Sequence, residues 1–175
     1  MSRGPQRRSV LPGGMIAAAI FAALAAALAA SPAAAQQRGA PTPPPGPSAG
    51  QAMAALHAAQ EAAEALNVSL SCAVVDSRGD LIALARMDGA RFYTTDVARG
   101  KARMSALFGQ PSGDMADFAN SPAFQSFNET MQGPLYAFQG ALPIMRDGEL
   151  IGAMGCSGAA SQVDEDAVRT ALSVF

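Results

Sequence analysis

Tryptophan is absent from the 175 residues, and the chain holds only two tyrosines, two cysteines and one histidine. A single histidine, His57, excludes any centre that needs several imidazoles. No zinc pattern occurs, and no spacing supports a Ser-His-Asp or Cys-His catalytic group. A phosphate-binding loop and a flavin or nicotinamide fingerprint are also missing. Nor is there a basic amphipathic helix that would lie on a membrane. Three of the twelve basic residues stand in the first eight positions, and fourteen residues are acidic, so the rest of the chain carries about five negative charges. Nucleic acid is therefore not an expected partner.

The N-terminus is rich where the rest is poor. Residues 1–8 hold three arginines and no acid, residues 14–30 are apolar and alanine-rich, and Ala33, Ala34 and Ala35 form a small-residue cleavage site. Residues 1–35 thus read as a signal peptide, with a membrane-spanning helix as the rival. Arg7 and Arg8, set side by side ahead of a mildly apolar run, resemble a twin-arginine export signal; the general secretory route is the alternative. The expected destination is periplasmic or secreted, with no membrane association after cleavage. Residues 36–50 hold five prolines and no large apolar side chain, which predicts a stiff, extended linker. One domain remains, residues 51–175, long enough for a single core.

Periodicity gives its elements. Alanine-rich residues 51–66 predict a helix. Residues 68–76 and 81–86 predict two strands around a turn at Ser77 to Asp80. A helix fits residues 95–108, and a short one starts at Ser121 and Pro122. Three more strands are expected at residues 136–138, 142–145 and 149–156, and Ser161 with Asp164 resembles a capping box for a last helix. Hairpin-linked strands with helices packed on them make an α/β fold of the α+β type with a mainly antiparallel sheet.

On a helical plot, Leu56, Ala59, Ala63 and Leu66 form the apolar face of the first helix. Met53, His57, Gln60, Glu61 and Glu64 crowd the other side. In the second helix Val97, Met104, Leu107 and Phe108 share a stripe with Lys101, while Arg99 and Arg103 lie opposite. Lys101 either snorkels to solvent or pairs with Asp88 or Asp76 at the strand ends, because a buried lone ammonium is costly.

Three strings, AVVDSRGDLIALARMDGA, ARGKARMSALF and GALPIMRDGELIGAMGCSGAASQVDEDAV, resemble in order the GlcG/HbpS family of haem-binding proteins, whose domain has also been labelled haem-degrading. The likeness covers nearly the whole domain after the linker. One departure is Gln139, Gly140, Ala141 and Leu142 where the family often has two glycines before Pro-Ile. The resemblance implies a profilin-like fold with a five-stranded antiparallel sheet, a homo-oligomer, and haem or a related small molecule as ligand.

Several residues could serve such a ligand. His57 reads as a solvated surface histidine near Glu61, as an axial haem ligand at a subunit contact, or with Glu61 and Glu64 as an iron site. Arg86 and Arg91 either hold haem propionates or pair with Asp80 and Asp88. Asp88 and Lys101 are candidates at the same end of the sheet. Met87, Met104 and Met154 read as core packing. Gly152, Gly155 and Gly158 precede a helix start that suits a carboxylate, or serve only a tight turn. Cys72 and Cys156 are expected as buried free thiols, with a cross-strand disulfide as the alternative.

Three functions follow: a non-enzymatic module that stores, relays or senses haem, a haem-degrading or other small-molecule enzyme, and a ligand-free structural oligomer. The missing cofactor fingerprints favour binding over catalysis.

Overall fold

A computed structural model of the chain describes residues 46–175 together with Gly4. The expected signal peptide, the arginine pair and the expected linker as far as residue 45 lie outside the described residues. Among the described residues no helix is long and apolar enough to cross a membrane.

The first helix, α1 (Ala49–Ala65), starts two residues earlier than the alanine run suggests, because Ser48 caps it. Ser48 Oγ accepts from the Gln51 amide at 3.1 Å, and Gln51 Oε1 accepts from the Ser48 amide at 3.1 Å. Its buried stripe is Ala52, Ala55, Leu56, Ala59 and Ala63. Leu66, expected on that stripe, is exposed: the helix has ended, and Asn67 at φ 53° turns the chain away.

The strands β1 (Ser71–Asp76) and β2 (Leu81–Arg86) form the expected antiparallel hairpin. Asp76 Oδ1 accepts from the amides of Arg78 (2.9 Å) and Asp80 (3.0 Å), so this carboxylate organises the turn. Helix α2 (Thr94–Phe108) stops at Gly109, which is left-handed at φ 67°. A 3-10 turn (Ser112–Met115) leads to the short α3 (Ala116–Ala119) and to α4 (Pro122–Thr130). Ser121 Oγ caps α4 by accepting from the Phe124 amide at 3.2 Å, with Pro122 as its first residue, as predicted. The second hairpin, β3 (Ala141–Arg146) and β4 (Glu149–Ser157), turns at Asp147 and Gly148, both at positive φ. Helix α5 (Ser161–Ala171) and a final 3-10 turn (Leu172–Val174) close the chain.

The sheet has four strands in the order β2-β1-β4-β3, all antiparallel neighbours. The mixed, antiparallel architecture is as expected, but the fifth strand is not there. Residues 136–138 spend their backbone groups elsewhere: the Tyr136 amide donates to Gly100 O (3.3 Å), and Phe138 O accepts from Ser112 Oγ (2.6 Å). The segment is thereby tied to α2 and the 3-10 turn as an irregular loop.

Helices α1 and α5 pack on one face of the sheet and α2 on the other. Leu70, Cys72, Val74, Met154 and Cys156 meet Leu56, Ala59 and Val168 on the first face. On the second face Val75 and Ala153 meet Ala102 and Ala106. Gly155 permits that close approach, since a Cβ there would stand 2.7 Å from Ala98 O and 2.8 Å from the Ala102 amide. Cys72 and Cys156 face each other across β1 and β4 and form a disulfide, with Cα atoms 4.1 Å apart. The free-thiol expectation is overturned by register, which puts the two side chains on one face at directly paired positions.

Candidate functional site

The hairpin ends at a cleft. Gln60, Glu64 and Asn67 of α1 and its exit face Ser69, Arg86, Met87 and Asp88 across an open depression of about 720 Å³. Three of the residues singled out from the sequence, Glu64, Arg86 and Asp88, therefore share one site. Ser69 Oγ donates to Asp88 O at 2.9 Å, and the Leu70 amide donates to Met87 Sδ at 3.3 Å, so the floor is fixed by local bonds. The side chains of Arg86 and Asp88 are left at the surface.

His57 stands one helical turn before Gln60 on the outward face of α1. Its side chain is 73% exposed, and Nε2 lies 3.3 Å from Glu61 Oε1. Among the described residues no three His, Cys, Asp or Glu side chains come together as a metal site, so His57, Glu61 and Glu64 are not gathered around an iron position. Arg86 and Arg91 are not paired with Asp80 or Asp88. Arg78 takes that role, 3.5 Å from Asp76 and 3.8 Å from Asp80, and Arg91 Nη1 donates to Tyr93 Oη at 3.3 Å.

Lys101 is elsewhere. It is buried, and its Nζ donates to Asp164 Oδ2 at 2.9 Å and to Cys156 O at 3.1 Å. The expected partners Asp88 and Asp76 are both wrong, because α2 crosses β4 and aims this side chain at the start of α5. Asp164 in turn is no reciprocal cap for Ser161: the N-cap is Ala160, without a side-chain bond. Asp164 Oδ1 accepts from the Ala159 amide at 3.0 Å. The helix start does hold a carboxylate, and it is the chain's own. Burial pushes the Asp164 carboxyl above its ordinary value, opposed by the Lys101 ammonium and the backbone N–H groups. Gly140, where the chain departs from the family pattern, lies against this pair. A Cβ there would stand 2.7 Å from Lys101 Nζ, and φ is 128°, so only glycine fits.

Arg103 is the residue that helical periodicity misplaced. Expected opposite the buried stripe, it is 8% exposed, and Nη1 donates to Gln132 O (2.6 Å) and Gly133 O (2.9 Å). Its pKa is lowered by burial and then by neighbouring Arg99, with Asp80 opposing. A plot of one helix cannot show that the loop at residues 132–136 covers its far side.

With this geometry in view, comparison with known proteins places the chain. A model of the family described as "Haem degrading protein HbpS-like" matches residues 48–173. The chain belongs to the HbpS-like family. It is 32% identical over 91 residues to Protein GlcG of Escherichia coli K12, a match spanning 52% of this chain and 66% of GlcG. Among solved structures it is similar to a double mutant of HbpS from Streptomyces reticuli, with TM-score 0.67 and 28% identity over 79% of this chain and 93% of the other. It is also similar to PduOC solved in complex with haem, with TM-score 0.64 and 26% identity over 72% of this chain and 92% of the other. The HbpS-like family is thus haem-related, and the antiparallel sheet with flanking helices is common to these neighbours.

Proposed function

We propose that this HbpS-like protein is an exported haem-binding protein that stores, relays or senses haem without degrading it, and that His57 is its axial ligand. The observation that carries this is the exposed imidazole of His57 beside a cleft containing Arg86. Haem brings an iron that takes axial donors, an apolar macrocycle and two carboxylate tails. His57 supplies the donor, since no buried hydrogen bond claims its ring. Met53, 58% exposed and one turn earlier, supplies apolar contact. Arg86 faces the cleft that begins at Gln60, one turn further along α1, and suits a carboxylate tail. Arg91, exposed and bonded among the described residues to Tyr93, is a second cation that follows Arg86 in the chain.

One protomer leaves this face open, and Glu61 and Glu64 oppose the tails unless these point toward Arg86. Closure of the macrocycle therefore falls to a second copy of the chain, in a homo-oligomer with haem between subunits. The described residues fit the donor and the tail contacts, and the partner copy completes the apolar wall. Iron alone finds no gathered ligand set here.

Haemin titration of the protein, followed in the Soret region, tests the reading. Wild type should bind saturably, and His57→Ala should weaken binding at least tenfold and shift the Soret band with the fold intact, because the His57 side chain is 73% exposed and its ion-pair partner Glu61 is exposed as well. An unchanged spectrum and affinity in His57→Ala would remove the ligand assignment.

A further inference from the structure

Beyond the proposed haem face, a second cleft carries chemistry that the proposed function does not use. It encloses about 300 Å³ between α2 and the loop after α4, lined by Asp96, Arg99, Gly100, Arg103, Gly133, Pro134 and Tyr136. Two guanidinium groups stand one helical turn apart in its wall. Arg103 is 8% exposed and donates through Nη1 to two backbone carbonyls; its Nε and Nη2 have no acceptor among the described residues and are open to solvent, and no carboxylate there lies within 4.0 Å. Two like charges lining one cleft repel, and the solvent-facing N–H groups of Arg103 remain free to take an anion. Partial burial and then the neighbouring Arg99 lower the pKa of Arg103, with Asp80 opposing.

The walls are built for this cleft. Gly100 lets the Tyr136 ring lie on α2, because a Cβ would collide with that ring and stand 2.9 Å from Pro134 O. Tyr136 stacks on Phe138 with centroids 5.9 Å apart and planes 12° apart, which holds the ring flat beside the arginines. Gln132 O and Gly133 O fix the Arg103 guanidinium from behind.

We propose that this cleft binds a small planar organic monocarboxylate, its carboxylate bridged by Arg103 and Arg99 and its flat body against Tyr136. Guanidinium forks take a carboxylate by two parallel bonds. Asp96 in the wall and Asp80 near Arg103 cancel part of the positive charge, which favours a single negative charge over a phosphate dianion. The volume suits a ligand smaller than a haem, so the site is separate from the face at His57.

Calorimetric titration of the full-length protein with benzoate, acetate and inorganic phosphate tests the proposal. Benzoate should bind saturably, acetate more weakly and phosphate weakest. Arg99→Gln, on an exposed side chain that holds no structural bond, should weaken benzoate at least tenfold with unchanged circular dichroism. His57→Ala should leave benzoate binding intact, so loss of the haem reading and loss of this one are told apart. Arg103→Lys should abolish binding; if it fails to fold, the Arg99 variant alone decides. Absence of saturable benzoate binding, equal affinity in Arg99→Gln, or phosphate binding tighter than either carboxylate would overturn the proposal.

Discussion

Lys101 and Asp164 show what a single pair of side chains can do in this core. Each is almost wholly buried, and each satisfies the other along with a backbone group, Cys156 O for the lysine and the Ala159 amide for the aspartate. Removing one partner leaves a buried group unpaired, so Lys101→Met should cost about 3–5 kcal/mol in urea unfolding. The double variant Lys101→Met with Asp164→Leu should recover most of that loss; an additive result would show that the pair is not coupled. Acid should lessen the deficit of the single variant. Burial holds Asp164 above its ordinary value of 3.8, so its stabilising contribution is full below that value and is lost as pH rises through the raised one. The gap between wild type and Lys101→Met should therefore widen as pH rises from 4 toward neutrality, which thermal melts across that range will show. The need for a partner was legible from the lysine's place on an apolar stripe. The partner was hidden, because Asp164 three residues after Ser161 has the spacing of a cap and nothing local tells a cap from a core acid. Arg103 was missed for the related reason that its cover comes from residues thirty positions later.

At the scale of elements, hairpins and helix starts could be read because their causes are local. The Asp147 and Gly148 turn and the Ser121 and Pro122 cap were legible because each rests on the residues that form it. The strand expected at residues 136–138 failed because pairing is not local: an aromatic-rich run is equally suited to a loop when Gly100 and Ser112 take its bonds. The packing of α2 on the sheet depends on glycine in the same way. Gly155→Ala should push the Ala98 and Ala102 turn off β4 and destabilise the fold by about 1–3 kcal/mol. Calorimetric melting of that variant checks it, and an unchanged midpoint would mean that α2 has room to spare. The edge strand β3 accepts Pro143, whose missing N–H would break a ladder in the middle of a sheet.

For the whole molecule, the disulfide joins the two central strands across 84 residues of sequence, while the cleft at Arg86 and the arginine cleft lie on opposite layers. A bridge closing so long a loop contributes about 2–5 kcal/mol. Such a bridge persists in an oxidising compartment, which agrees with the export proposed here. Thiol counting on denatured, non-reduced protein should find none in the exported chain. Replacing Arg7 and Arg8 with lysine should retain the precursor in the cytoplasm with two free thiols. Export of that variant with its disulfide intact would discard the twin-arginine route. The family and the antiparallel sheet were legible from ordered motifs and patterning. The bridge was not, since it depends on which residue of β4 falls opposite Cys72.

The burial of Lys101 has one more consequence. It is the only lysine in the chain, so every surface side chain that carries a permanent positive charge is an arginine. Reagents that acylate primary amines thus find just the terminal amine while the fold holds, and a second modified site is created only when α2 parts from α5. The rate at which that second acyl group appears measures the opening of the core directly, without a probe or a mutation having to be introduced.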